Sequence, residues 1–232
     1  MSPDPVDHHT AYPFQLTDVD RSILAMTDDQ FSPHTWEELK QIIAEHNLST
    51  LRRRPSDLRR YIKWSRKTKT TYGSVPNFVM TERLKWTPLP STDPDAGPKF
   101  AVKNPLPFAD PADFKILHND WPYGVTPGIK HLIVWLKTRL ESEPTRGDMT
   151  PKSRRQVEDF IRSKFVDRVK DLPGEQPKVM WFKNWTALQS VPGMEHVHVL
   201  VRDVPDSIIQ EWTDGDQPMN DQDNFVQYRH GI

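Results

Sequence analysis

Lys178 to Asp203 reads K-V-M-W-F-K-N-W-T-A-L-Q-S-V-P-G-M-E-H-V-H-V-L-V-R-D. Two apolar runs of strand length, Val179 to Phe182 and Val197 to Val201, flank a polar, turn-prone segment from Lys183 to Glu195. Strand side chains alternate faces with period 2, so His196 and His198 point one way and Val197 and Val199 the other. A neutral imidazole carries a lone pair near pH 7, so a same-face pair can supply a nucleophile, a general base or metal ligands. The plainer reading of an isolated H-x-H is two polar positions on an edge strand. A second histidine-bearing strand upstream weighs against it.

Toward the N-terminus, Thr150 reads as a helix cap with Pro151 at the first helical position, and Val157, Phe160, Ile161, Phe165 and Val169 form an apolar stripe. One long helix is therefore expected to pack across the sheet. Lys152, Arg154 and Arg155 in its first turn oppose the helix dipole and point to an anion or acidic partner nearby. Earlier still, Phe114 to Leu117 and Ile129 to Leu136 read as an antiparallel strand pair joined by the turn-rich segment 119–128, with His131 near the start of the second strand. Asn119 and Asp120 end the first strand, where loop side chains can bind the hydroxyls of a ligand; ordinary turn chemistry is the alternative.

The stretch 87–111 is dense in Pro, Asp and Gly and is expected to be a linker or a loop wrapping the core. Before it, 13–86 reads as a small helical subdomain. Thr35 with Glu38 makes a capping box, Pro55 opens a helix carrying Leu58, Tyr61 and Ile62, and Pro76 opens another. Between Arg52 and Lys69 nine Lys/Arg face one acid, Asp57. With Tyr61 and Trp64 interleaved, that helix is a candidate phosphate-backbone track; a solvated face with inward-packed aromatics is the alternative. Residues 1–12 are polar and Pro-rich and are expected to form a disordered arm, and 204–232 form an acidic extension whose F-V-Q-Y-R end docks on the body.

Composition limits the classes. The chain has 232 residues, 35% hydrophobic content, 22 prolines, no cysteine and a formal net charge of −1. Thiolate metal sites and disulfides are thereby excluded, and bulk charge names no partner. No 18-residue apolar window and no basic-then-apolar leader is seen, so no membrane partner is expected and the expected location is cytoplasmic, with the nucleus as a further compartment.

Two resemblances meet on these residues. Through T-W-E-E-L-K, R-R-P-S-D-L-R-R-Y, N-D-W-P-Y-G, G-I-K-H-L-I-V-W and W-F-K-N-W-T-A-L-Q-S-V, nearly the whole chain resembles the fungal N-acetylglucosamine-induced protein 1 family. That name implies responsiveness to an amino sugar and no particular reaction. Over about residues 112–203 the order of elements is similar to the histidine-triad superfamily of nucleotide hydrolases and transferases. Asn119 or Asp120 matches the acid that binds ribose there, His131-Leu132-Ile133-Val134 the histidine strand, Asn184 the asparagine, Gln189-Ser190-Val191 the Q-S-V run, and His196-Val197-His198 part of the triad. The third triad position falls on Leu200 or Met194 according to alignment, the loop before His131 is longer, and residues 192–195 add length ahead of the histidines.

Together these readings give an α+β chain: an antiparallel sheet with a long packing helix, histidine-triad-like over 112–203, preceded by the helical subdomain. The histidine-triad resemblance implies that His196 or His198 attacks an α-phosphate, while the other, with Ser190 and Asn184, holds the charged oxygens. Asn119, Asp120, His131 and Gln189 would line the substrate, and Lys137 and Lys183 would neutralise its remaining phosphates. The expected partner is an anionic small molecule, a nucleotide or sugar nucleotide, bound by a monomer or homodimer without a cofactor. Two alternatives stand beside it: a divalent metal held by His131, His196 and His198, and a ligand-binding or regulatory protein without turnover.

Overall fold

Hydroxyl side chains open four of the helices. Thr17, Thr35, Ser74 and Thr150 each accept a hydrogen bond from a backbone N–H of the first turn, which would otherwise lack a partner. In the computed structural model, which describes residues 12–93, 97–143, 148–185 and 188–219, these caps start α1 (Asp18–Leu24), α2 (Trp36–Ala44), α4 (Val75–Phe78) and α5 (Pro151–Ile161). Between α2 and α4 runs α3 (Pro55–Tyr72), opened by its proline and stopped at Gly73, whose φ of 78° suits a residue without Cβ. Most of the expected arm 1–12, and the tail from 220 on, lie outside the described residues.

The chain divides into two compact units. The first comprises Met1–Arg83 together with Trp121–Thr126; the second comprises Leu84–Asp120 and Pro127–Ile232. In the first, Tyr61, Trp64, Phe78 and Trp121 pack ring against ring at centroid separations of 5.3 to 5.8 Å. The aromatics of the basic helix thus face inward and present no stacking platform. Several cations of the basic run are engaged locally: Arg59 donates to the carbonyls of Leu24 and Met26, Arg52 to Ser32 O, Arg53 to Trp121 O, and Lys69 to Pro13 O. Four of the run's nine cations thus tie neighbouring segments together.

The second unit is α+β. Its four strands, β1 (Phe114–His118), β2 (Ile129–Leu136), β3 (Val179–Phe182) and β4 (Glu195–Arg202), form one antiparallel sheet in the order β1-β2-β4-β3. Registers such as Ile133↔His198 and Trp135↔His196 fix which side chains share a face. Leu132, Val134, Leu136, Val197, Val199 and Val201 turn toward one side. There they meet Val157 and Phe160 of α5, Phe165 of the π-turn Arg162–Val166, Val169 of α6 (Asp167–Val169), and Ile208 and Trp212 of α7 (Asp206–Thr213). The Pro-rich stretch 87–111 lies in this unit, where the backbone N–H groups of Lys103 and Asn104 donate to the buried carboxylate of Asp113. Asp113 also pairs with Lys137 at 3.7 Å. Burial alone would raise the Asp113 pKa, but these donors and the Lys137 charge hold it below the ordinary value.

Phe165 is fully buried, with its ring 4.7 Å from Trp212. Phe165→Ala is expected to lower unfolding free energy by about 3–5 kcal/mol, the range for an emptied aromatic core site. Chemical denaturation checks it, and a loss under about 1 kcal/mol would mean that the helices do not seal the sheet there. The basic first turn of α5 has acidic partners of its own: Lys152 meets Glu141 at 3.1 Å and Arg154 meets Asp148 at 3.7 Å. No helix among the described residues is long and apolar enough to cross a membrane.

Candidate functional site

The sheet's other face carries the histidines. Because β2 and β4 are neighbours and the pleat alternates, His131, Ile133 and Trp135 share that face with His196, His198 and Leu200. The rings of His131, His196 and His198 are nearly withdrawn from solvent, at 4, 4 and 6 % exposure. Phe182 stacks on His198 with centroids 4.7 Å apart and planes 5° apart, and Trp135 lies 4.8 Å from His196. His196 and His198 are 5.1 Å apart, ring to ring.

Hydrogen bonds divide the roles. His196 Nδ1 lies 2.7 Å from the carbonyl of Met194. A carbonyl only accepts, so Nδ1 carries the proton and, in the neutral ring, Nε2 carries the lone pair. Burial, aided by the nearby charge of Lys183 and opposed by the Met194 bond, lowers the His196 pKa to about 4. His196 is therefore a neutral imidazole with a defined, unprotonated Nε2 at neutral pH. His198 is placed differently. Asn184 Nδ2 donates to its Nε2 at 3.3 Å, which leaves Nδ1–H to donate to His131 Nε2 at 2.9 Å. Asn119 Nδ2 in turn lies 3.3 Å from the His131 ring nitrogens, and its backbone N–H donates to His131 O. Asn184, His198, His131 and Asn119 thus form one chain of polar contacts beside His196. Both nitrogens of His198 are engaged in it, which separates two histidines that the sequence left equivalent.

The structure brings His131, His196, His198, Asn119 and Asn184 together, with Gln189 holding the segment by donating Nε2–H to Asn184 O. The others stand differently. Asp120 accepts at Oδ1 from the backbone N–H of Met219, and Ser190 is exposed on the turn before β4. Lys137 pairs with Asp113, and Lys183 stands 3.1 Å from Glu195. Among the described residues no group of three or more His, Cys, Asp or Glu side chains is arranged to hold a metal ion. Of the three imidazoles that the alternative metal reading names, His131 and His198 bond to each other and His196 bonds Met194 O. Sequence reasoning named Met194 only as one alignment's third triad position and missed that its carbonyl fixes the tautomer, and it missed the Phe182 stack. For Phe182 a signal existed: in an antiparallel pair its position at the end of β3 sets it opposite His198.

Comparison with other proteins places this arrangement in context. A family model described as "Protein of unknown function (DUF3605)" matches residues 35–202. N-acetylglucosamine-induced protein 1 of Candida albicans is 27% identical over 191 residues, 79% of this chain and 74% of that protein. An uncharacterized protein of Saccharomyces cerevisiae is 28% identical over 166 residues, 72% of this chain and 77% of its own length. The solved structure described as "Crystal Structure of HTC1" matches with a TM-score of 0.56 and 24% identity, covering 84% of this chain and 96% of that one. That match speaks for the fold.

Proposed function

The chain belongs to the family described as Protein of unknown function (DUF3605), whose description names no reaction, and from the site itself we propose a nucleotide or nucleotide-sugar hydrolase or transferase with His196 as nucleophile. The single observation that carries this reading is the Nδ1–H bond to Met194 O. It aims a neutral, unprotonated Nε2 onto the sheet face shared with His198 and His131. In the proposed reaction His196 Nε2 forms a bond to the α-phosphorus while the bond to the leaving phosphate or sugar phosphate breaks, its electron pair departing with the leaving oxygen. Water or an acceptor hydroxyl then displaces the imidazole, giving up its proton and returning the free ring. His198, held between Asn184 and His131, keeps the polar chain in register beside the reacting phosphorus.

The order of strand, long helix and H-x-H strand fits the histidine-triad-like core that the sequence resembles. The name of the Candida albicans relative ties that protein to N-acetylglucosamine, which favours a nucleotide-sugar as the substrate form. A ligand-binding protein without turnover is supported by one observation, the near-complete burial of the three rings. A thermal-shift screen with AMP, UDP-N-acetylglucosamine, free N-acetylglucosamine and divalent metals tests the reading. Nucleotide forms are expected to stabilise the protein by about 2.7 kcal/mol at a hundredfold excess over Kd. Stabilisation by metals or free sugar alone would overturn it.

A further inference from the structure

A site that handles phosphate needs a cation on its own face of the sheet, and the register decides which residue that is. In β1, Phe114 and Ile116 pack into the core on the helix side, so Lys115 and Leu117 stand on the histidine face. Within the four strands that face carries two cations, Lys115 and Arg202. Arg202 has Glu175 at 3.2 Å, whereas among the described residues no acid pairs with Lys115. Lys137 and Lys183, the lysines read from the sequence as phosphate ligands, have Asp113 and Glu195 beside them. Lys115 is half-buried and shares one cross-strand row with the proposed nucleophile: it is registered on Trp135, and Trp135 on His196. Two strand spacings, about 10 Å, separate the ends of that row. The Trp135 ring fills its middle, 4.8 Å from His196. A lysine's flexible four-carbon stem is long enough to lean over the indole toward a group attached to a phosphate at His196. The polar chain through His131 and Asn119 runs in another direction, along the strands, since His131 is registered on Leu200, four residues beyond His196.

We propose, on the reading of His196 as nucleophile, that Lys115 binds the substrate's second phosphate, the one that departs when His196 bonds to the α-phosphorus, and so selects diphosphate-linked nucleotides over monophosphates. The nucleoside extends along the strands toward Asn119, and the departing phosphate across them toward Lys115. As the bond from Nε2 to phosphorus forms, the bridging oxygen keeps the electron pair of the broken P–O bond. The ammonium stays protonated and binds the oxygens of the phosphate that leaves. The substrate class is a nucleoside diphosphate or its sugar ester. A lysine present only to keep the edge strand β1 from pairing with another chain has no part in such binding.

Calorimetric titration with AMP, the non-hydrolysable α,β-methylene analogue of ADP, and inorganic pyrophosphate tests this on the parent chain, Lys115→Met, Lys115→Arg and Lys130→Met, with melting curves confirming that each variant folds. Lys130 adjoins His131 but stands on the helix side of the sheet, paired with Asp206, so its variant removes a nearby charge outside the site. Lys115→Met is expected to weaken the ADP analogue and pyrophosphate about tenfold or more and AMP less than about twofold, while Lys115→Arg stays within about threefold of the parent and Lys130→Met matches it. A Lys115→Met chain that binds the analogue as tightly as the parent, or that loses AMP to the same degree, overturns the role of Lys115 and leaves the nucleotide reading standing. Equal weakening of the analogue by Lys130→Met does the same. If Lys115→Met weakens pyrophosphate while the parent binds AMP and the analogue no better than pyrophosphate, the role of Lys115 stands and the nucleotide reading falls. Absence of binding by all three probes to the parent overturns both.

Discussion

His196→Asn is expected to bind nucleotide within a few-fold of the parent chain while turning it over at least about a thousandfold more slowly, the scale of loss when a covalent nucleophile is removed. Asparagine is the informative replacement. Its amide nitrogen lies near the place of Nδ1 and can keep donating to Met194 O, so the β4 backbone and the neighbouring rings are retained while the attacking lone pair is gone. His198→Asn provides the contrast. It breaks the link between Asn184 and His131 without removing the nucleophile, and a loss of about ten- to a hundredfold is expected, typical of a residue that orients another. Single-turnover kinetics with a labelled nucleotide and mass spectrometry of the quenched protein read both steps. An adduct on the parent chain that vanishes in His196→Asn supports the assignment, whereas turnover surviving unchanged in His196→Asn removes His196 from the chemistry.

Acidification is expected to destabilise the fold well above the range where carboxylates titrate. His34 and His196, 2 % and 4 % exposed, each have a pKa lowered from 6.5 to about 4. For both, burial is the leading cause. Arg52 lowers His34 further, against Glu38 and a bond to the Thr50 backbone; Lys183 lowers His196 further. The unfolded chain therefore takes up protons on these two rings first as pH falls. Their contribution to stability is complete above about pH 6.5 and is lost as pH drops toward 4, on the order of 3 kcal/mol per ring. Asp57 acts in the opposite sense: burial raises its carboxyl, although Arg60 and Arg54 oppose this, so its protonation favours the folded chain at the acidic end. Urea unfolding at pH 7, 6 and 5 should show the falling stability, and His34→Asn and His196→Asn should each flatten the slope by about half. A curve level from pH 7 to 5 would mean that these rings are not withdrawn from water as described.

Period and punctuation made much of the second unit legible. Alternating His-Val-His-Val and the apolar run after His131 named two strands, and Thr150-Pro151 named the start of the helix that covers them. What placed β2 against β4 was not local, and pairing between segments about sixty to seventy residues apart leaves no mark in either alone. The division of roles between His196 and His198 was equally hidden, because it depends on a main-chain carbonyl two residues back and on Asn184 across the sheet. In the arginine-rich helix the inward-packed aromatics offered as the alternative are what the structure has, but a count of charges does not reveal that Arg59 finishes the carbonyls of Leu24 and Met26. Similarly, the cations opening α5 are answered by Glu141 and Asp148, acids that precede the helix.

The make-up of the first unit limits how this protein can be taken apart. Trp121–Thr126 falls in sequence between β1 and β2, yet it supplies the Trp121 ring that meets Tyr61 and Trp64, and Gly124, whose N–H reaches Arg52 O and whose missing side chain leaves room for Phe31. A gene truncated after Arg83 would encode a helical fragment with a hole where an indole belongs. Dissection by simple cleavage is therefore a poor route to an isolated amino-terminal piece; a soluble version would need the six-residue patch grafted back or delivered as a peptide. Insertions between β1 and β2 are constrained for the same reason, since that connection serves two masters.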